Sequence, residues 1–255
     1  MEYRLKTIDC AAHFPATHRK RPFRVARLAF DASGNAADCD LLRTLIEKGR
    51  QLSEKVHRGA ANFAHLQRTT GRVHANCMAG ILAEFGWKHF LNELGRVARV
   101  AETPFGEAAH QIDLLIPATG KTIEVRASFP RNGIPFALCH PHKCFDVIGP
   151  YSNHYKPGEP QKDFYVRTLF HLSADGGSGR PFEEVVRQPG FTIWLTGGAT
   201  WEMMTDAACS REKTFIPEGE INPERLAGQS DYRVVPFHRA LDTVEIFHHI
   251  KNAAL

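Results

Sequence analysis

The chain has 255 residues, of which 32 are Lys or Arg and 28 are Asp or Glu, giving a formal net charge of +4 and a pI near 8.8. No apolar run approaches 18 residues, which argues against a membrane span, and the charged start from Met1 to Lys6 lacks the apolar region of a secretion signal. We therefore expect a cytoplasmic protein with a packed core, whose modest positive charge is compatible with a polyanionic partner.

The first part of the chain reads as an extension, residues 1–69, that packs on a later core. A basic stretch from His18 to Arg21, followed by Arg24 and Arg27, leads into a strand-like segment from Val25 to Phe30. These cations either contact phosphates or form a solvated surface, and the sequence leaves both interpretations open. A helix is predicted from Cys39 to about His57.

The next predicted element is a helix from Arg72 to Leu94, since apolar side chains recur there at offsets of three and four residues. Gly95 suits its C-terminus, and a short strand from Arg96 to Ala101 follows. Glu84 lies at the edge of the apolar stripe of this helix.

The segment from Asp113 to Arg126 predicts a β-hairpin with three charged side chains on one face. Strand side chains alternate between the two faces, and the turn residues Pro117–Gly120 separate the two apolar runs. A two-residue loop would pair Asp113 with Arg126, whereas a four-residue loop would pair Asp113 with Glu124. Both registers place Asp113, Glu124 and Arg126 together, close enough for the two carboxylates to share a divalent cation.

Further elements are predicted downstream. Strands are expected at 163–172 and 191–196, and a short helix at 201–208. The turn-rich segment 150–160 is expected to be a long connection, and residues 209–255 a C-terminal tail.

An Asp, ten further residues and then Glu-x-Arg on the next strand resembles the PD-(D/E)XK, or restriction-endonuclease-like, nuclease superfamily. The family core runs helix, strand, strand, strand, helix, strand, and the resemblance covers roughly residues 70–205. Ile112 stands where that family often has Pro, and Arg126 where it usually has Lys. The resemblance implies an α/β fold with a central mixed β-sheet flanked by helices, within a nuclease-like core at 70–208.

The resemblance also implies an activity, namely metal-dependent hydrolysis of phosphodiester bonds in DNA by a Mg²⁺- or Mn²⁺-dependent nuclease. Asp113, Glu124 and the carbonyl of Val125 would hold the metal, Glu84 would complete its shell, and Arg126 would contact the scissile phosphate. Glu93, later on the same helix, is a less favoured substitute for Glu84. Arg is a poor general base, so either the metal-bound water needs no such base or a Lys comes from elsewhere. The candidates are Lys143, Lys156 and Lys162.

Two other interpretations remain open. The same fold could bind nucleic acid without cutting it, because Arg126 departs from the family pattern. Alternatively, the soft ligands Cys139, His140, His142 and Cys144, with His154 nearby, could bind Zn²⁺ in a binding module. The six irregularly spaced cysteines predict a reduced protein without a disulfide framework. DNA is the expected partner, RNA stays an alternative, and a homodimer is compatible with the sequence.

Overall fold

A computed structural model describes residues 1–15, 22–56, 70–94, 100–102, 112–152, 158–171, 181–215 and 230–255. In these ranges the chain is an α/β protein whose mixed sheet is flanked by helices, as the sequence predicted. No helix within them is long and apolar enough to cross a membrane.

The described strands form two sheets. They are β1 (Glu2–Ile8), β2 (Phe23–Ala29), β3 (Ala101–Glu102), β4 (Leu114–Ile116), β5 (Lys121–Ser128), β6 (Asp146–Ser152), β7 (Phe164–Phe170), β8 (Thr192–Thr200), β9 (Arg211–Phe215) and β10 (Ser230–Pro236). Within the described residues, a seven-stranded sheet has the order β1-β2-β8-β7-β5-β4-β3, and a three-stranded sheet has the order β6-β10-β9. The pair β5–β7 is parallel, and the other pairs are antiparallel.

The helices are α1 (Cys10–His13), α2 (Ala36–Lys55), α3 (Thr70–His89), α4 (Gly133–Cys139), α5 (Phe182–Val186), α6 (Trp201–Thr205) and α7 (Thr243–Ala253). A π-helical turn, Phe90–Leu94, extends α3. The Asn35 side chain accepts hydrogen bonds from two backbone amides at the start of α2, which is how a polar N-cap begins a helix. Asp242 and Glu245 form a reciprocal capping box at the start of α7.

The large sheet separates two apolar cores, because its side chains alternate between faces. The first face carries Ile123 and Val125 and packs against α2, α3 and α7. The second face carries Tyr165 and Leu169 and packs against residues of α1, α4 and the smaller sheet. Glu124 and Arg126 alternate with Ile123 and Val125, so they lie on the second face.

Most of the predicted elements are present, with adjusted ends. The strand expected at 25–30 is β2, the two expected helices are α2 and α3, and the strands expected at 163–172 and 191–196 are β7 and β8. The strand expected at 96–101 is described only from residue 100. The basic stretch His18–Arg21 lies outside the described residues, as do His154 and Lys156.

The prediction of uniformly reduced cysteines is wrong for one pair. Cys10 in α1 and Cys139 at the end of α4 form a disulfide, with their Cα atoms 4.9 Å apart. The partners are 129 residues apart in the chain, so their spacing gives no signal. They meet because α1 packs against α4 on the second face of the sheet.

Candidate active site

The hairpin adopts the register of a four-residue loop. Leu114 pairs with Ile123 and Ile116 with Lys121, so residues 117–120 form the loop. Gly120 has φ of 70°, a conformation that favours glycine. One residue further along this register, Asp113 stands opposite Glu124.

A hydrogen bond holds Asp113 at the end of its strand. Its Oδ2 accepts from the backbone N–H of Val125 at 2.7 Å. Both Asp113 and Glu124 are buried, with 9% and 5% of their surfaces exposed. The structure therefore brings together the two acids that the sequence singled out.

Arg126 shares this face and is bound by carboxylates of its own chain. Its Nη2 donates to both carboxylate oxygens of Glu159, at 2.6 and 2.8 Å, and lies 2.8 Å from Glu124 Oε1. Its guanidinium also stacks over the ring of Tyr151, 5.2 Å from the centroid. Arg126 therefore links Glu124 to Glu159 and orients both side chains.

Lys162 joins these charged side chains, and Tyr165 lies beside them. Lys162 is buried, and its charge opposes the rise that burial produces in the pKa of Asp113 and of Glu124. The backbone N–H of Lys162 donates to the hydroxyl of Tyr165 at 3.0 Å. Tyr165 stands beside Glu124 in the parallel β5–β7 pairing. We call the set Asp113, Glu124, Arg126, Glu159 and Lys162 the acid–base cluster.

Burial disfavours the charged form of both acids. Burial raises the pKa of Glu124 to about 8, because loss of water penalises the carboxylate; Arg126 opposes the shift, and the charges of Asp113 and Glu159 add to it. Burial also raises the pKa of Asp113, with Arg126 and the Val125 amide opposing the shift. The pKa of Arg126 is raised, because the charges of Glu124 and Glu159 outweigh the effect of its own burial.

The structure places Glu84 on a helix that covers the opposite face of the sheet from these residues. It is half-buried on α3, and α3 packs against the first face of the sheet. Glu124 lies on the second face. The sequence placed Glu84 at the edge of an apolar stripe but carried no information on which sheet face the helix covers. Its part in a metal shell stays a prediction, as does that of Glu93.

The carboxylate pair retains donor atoms suited to a hard divalent cation. No hydrogen bond in the described part of the chain uses Asp113 Oδ1 or Glu124 Oε2, and two close, buried acids disfavour each other's charge. Carboxylate oxygens are the ligands that Mg²⁺ and Mn²⁺ prefer. The described residues contain no group of three or more His, Cys, Asp or Glu side chains placed to hold a metal ion. A cation here would thus rest on two carboxylates and backbone or solvent oxygens.

The predicted zinc ligands do not converge. Cys139 is bonded to Cys10, and His140 Nδ1 accepts from the backbone amides of His142 and Lys143. Cys144 Sγ instead lies 3.6 Å from Nδ1 of His238. The segment is a turn at the end of α4, and its compact fold directs these groups to different neighbours.

The three lysine candidates have different outcomes. Lys143 is exposed on that turn, Lys156 lies outside the described residues, and Lys162 is buried in the acid–base cluster. Glu159 is a residue that the sequence did not suggest. It precedes β7 in the segment expected to be a long connection, and only the fold shows that its carboxylate binds Arg126.

Comparison with known proteins gave no match: no family model, curated protein or solved structure resembles this chain significantly.

Proposed function

We propose that this protein is a metal-dependent nuclease that hydrolyses phosphodiester bonds in DNA. The observation that carries the proposal is the buried pair Asp113 and Glu124, which stand opposite each other beside a buried lysine, Lys162. Paired acids beside a lysine are the groups that a metal-assisted phosphodiester hydrolysis uses.

The order of elements supports the same proposal. The chain runs α3, β3, β4, β5, α4 and then β7. β4 pairs antiparallel with both β3 and β5, and β7 pairs parallel with β5. This order agrees with the helix, strand, strand, strand, helix, strand order of the restriction-endonuclease-like core. β6 is an addition between α4 and β7.

In this proposal, Asp113 and Glu124 hold a divalent ion, with the Val125 carbonyl as a further ligand. The ion supplies Lewis acidity, lowering the pKa of a bound water and stabilising charge on the phosphate. The Val125 amide fixes Asp113, and Arg126 fixes Glu124. Lys162, and not Arg126, takes the place of the missing family lysine, because Arg126 is already bound to Glu124 and Glu159.

Cleavage of supercoiled DNA in the presence of Mg²⁺ or Mn²⁺ tests the proposal. We expect nicking by the wild type and its loss in Asp113→Asn and Glu124→Gln, whose side chains are close in size to those they replace. Lys162→Met should lose at least a hundredfold in rate, since general acid–base groups contribute about 10²–10⁴-fold. Lys143→Met is the matched control, because Lys143 is exposed and outside the cluster.

A second candidate is a DNA-binding protein that does not cut. The pairing of Arg126 with two carboxylates favours this second candidate, because Arg126 neutralises part of the negative charge of the site without a metal. This candidate predicts wild-type binding to DNA without cleavage under any divalent ion. Full cleavage by the Asp113→Asn, Glu124→Gln double variant would refute the assignment of Asp113 and Glu124 to the site under either candidate function.

A further inference from the structure

Arg167 is a buried cation that pairs with no carboxylate of the described residues. It lies on β7, is 3% exposed, and stands beside Arg126 in the parallel β5–β7 register. Its Nη2 donates to Ser128 Oγ at 2.5 Å, and its buried Nε has no hydrogen-bond partner among the described residues. No carboxylate in the described residues lies within salt-bridge distance of it.

The surroundings of Arg167 leave its charge uncompensated. Burial lowers the pKa of Arg167 to about 10; Asp146 opposes this shift and Arg126 adds to it. Asp146 is itself bound to Arg211 at 3.1 Å and to Lys213 at 2.7 Å. Burying a charge without a partner is costly, and a fold that serves only its own stability pairs such a group or replaces it.

The position of Arg167 relates it to the candidate active site. Arg126 is two residues beyond Glu124 on β5, and Arg167 is its direct neighbour on β7. Two residues along a strand span about 7 Å, and neighbouring strands lie about 4.8 Å apart. The backbone positions of Glu124 and Arg167 are therefore roughly 8 Å apart on one face of the sheet.

We propose that Arg167 and Ser128 form an oxyanion subsite that binds a phosphate group next to the phosphate cleaved at Asp113 and Glu124. A guanidinium presents several N–H donors in a planar fork, which matches the oxygens of a phosphate. Ser128 Oγ, which now accepts from Arg167, supplies a hydroxyl beside it. Assigning the bound phosphate group to a nucleic-acid substrate rests on the proposed function, whereas the anion subsite itself does not.

Calorimetric titration of the metal-free protein with inorganic phosphate tests the subsite directly. We expect saturable binding to the wild type and at least a tenfold weaker affinity in Arg167→Gln, which removes charge-assisted hydrogen bonds. Arg187→Gln should bind phosphate as the wild type does, because Arg187 is half exposed at the end of α5 and pairs there with Glu183. Equal affinity in wild type and Arg167→Gln, or no saturable binding in the wild type, would overturn the subsite.

The thermal unfolding midpoint separates a ligand-binding arginine from a structural one. Without phosphate, Arg167→Gln should unfold at the same temperature as the wild type or higher, because an unpaired buried charge has been removed. A large fall in the midpoint would instead show that Arg167 stabilises the fold. If Arg167→Gln does not fold, Arg167→Lys keeps the charge but loses the fork, and we expect it to bind phosphate more weakly than the wild type.

Two further ligands identify the source of the phosphate. A dinucleotide with one phosphodiester should compete with inorganic phosphate in the wild type, whereas a nucleoside without phosphate should not. Failure of the dinucleotide alone would restrict the subsite to free phosphate and overturn its assignment to nucleic acid. Phosphate binding without any DNA cleavage would defeat the proposed function and leave the subsite standing. Cleavage with an unchanged KM in Arg167→Gln would leave the proposed function standing and overturn the assignment of the subsite to the nucleic-acid substrate.

Discussion

At the scale of single residues, the protonation of Glu124 links the candidate site to stability. Its pKa is about 8 in the folded chain and near 4.5 when exposed to water. Between those values the folded chain holds a proton that the unfolded chain has lost. The free energy of unfolding must therefore fall as pH rises from about 4.5 to 8.

This dependence is measurable by chemical denaturation of the metal-free protein at several pH values. One proton of difference corresponds to about 1.4 kcal/mol per pH unit. Glu124→Gln cannot titrate, so its slope should be smaller by up to that amount. Identical slopes in wild type and variant would show that Glu124 is ionised throughout, held so by Arg126.

The residues of the site differ in how far the sequence could predict them. Asp113, Glu124 and Arg126 share a face because strand alternation is local and has a fixed period. Neither hairpin register changes that outcome, so the prediction did not require the loop length. Glu159 and Arg167 depend on the pairing of β5 with β7, which is decided by contacts about 40 residues apart in the chain. The sequence offered Lys162 as one of three candidates and could not choose between them.

At the scale of elements, the contact between α2 and α3 depends on a glycine. A Cβ at Gly49 would lie 2.7 Å from the Cα of Met78, a backbone atom that cannot move aside alone. Gly49→Ala should therefore separate the two helices and destabilise the protein by about 1–3 kcal/mol, less any gain in helix propensity.

Gly80 provides the matched control within α3. A Cβ there meets nothing within 4 Å. Gly80→Ala should raise the free energy of unfolding by about 0.5–1 kcal/mol, because alanine favours a helix more than glycine does. Urea denaturation of both variants measures whether each substitution raises or lowers the free energy of unfolding. Stabilisation by Gly49→Ala would contradict the close packing of α2 on α3.

Elements with clear periodicity were predictable, whereas the smaller sheet was not. β6 contains Gly149 and Pro150, residues that punctuate turns, and its last residues fall in the segment 150–160 that was interpreted as a connection. A Cβ at Gly149 would lie 2.9 Å from the carbonyl oxygen of Arg233, so β6 uses glycine to approach its neighbour closely. β10 then follows a segment outside the described residues, and its pairing with β6 is long-range. Local patterns carry no information of that kind.

At the scale of the whole molecule, the Cys10–Cys139 disulfide closes a loop of 129 residues. A crosslink over a long loop restricts the unfolded chain, and removing one typically costs about 2–5 kcal/mol. We expect reduction to lower the unfolding midpoint of the wild type but not of the Cys10→Ser, Cys139→Ser double variant. Cys39→Ser is the control, since Cys39 is a free, half-buried thiol. Alkylation of all six cysteines in unreduced, denatured protein would contradict the bond.

The second face of the large sheet also joins the candidate site to a cationic surface near β1. Trp194 pairs with Leu169 on β7 and with Arg27 on β2, so it lies on the same face as Tyr165 and Glu124. Arg27 Cζ is 5.0 Å and Lys6 Nζ 5.6 Å from the centroid of the Trp194 ring. By contrast, Arg24 is bound to Asp242 at 2.7 Å and serves the fold. Arg27 and Lys6, beside a half-buried indole, are suited to hold a nucleic-acid backbone at a distance from the acids.

The proposed function predicts that this surface contributes the salt-dependent part of DNA binding. In the Asp113→Asn, Glu124→Gln background, which removes the proposed cleavage, Arg27→Gln with Lys6→Gln should weaken binding to every sequence alike. The slope of log affinity against log salt should fall by about 1.4–1.8, since two phosphate contacts are lost and each accounts for about 0.7–0.9. Arg187→Gln removes one charge on α5's flank and should leave the slope unchanged, because Arg187 pairs with Glu183. Fluorescence anisotropy over a range of salt concentrations gives both quantities. An unchanged slope in the double variant would place the DNA elsewhere on the molecule, whereas equal losses in the double variant and in Arg187→Gln would reduce the effect to overall charge.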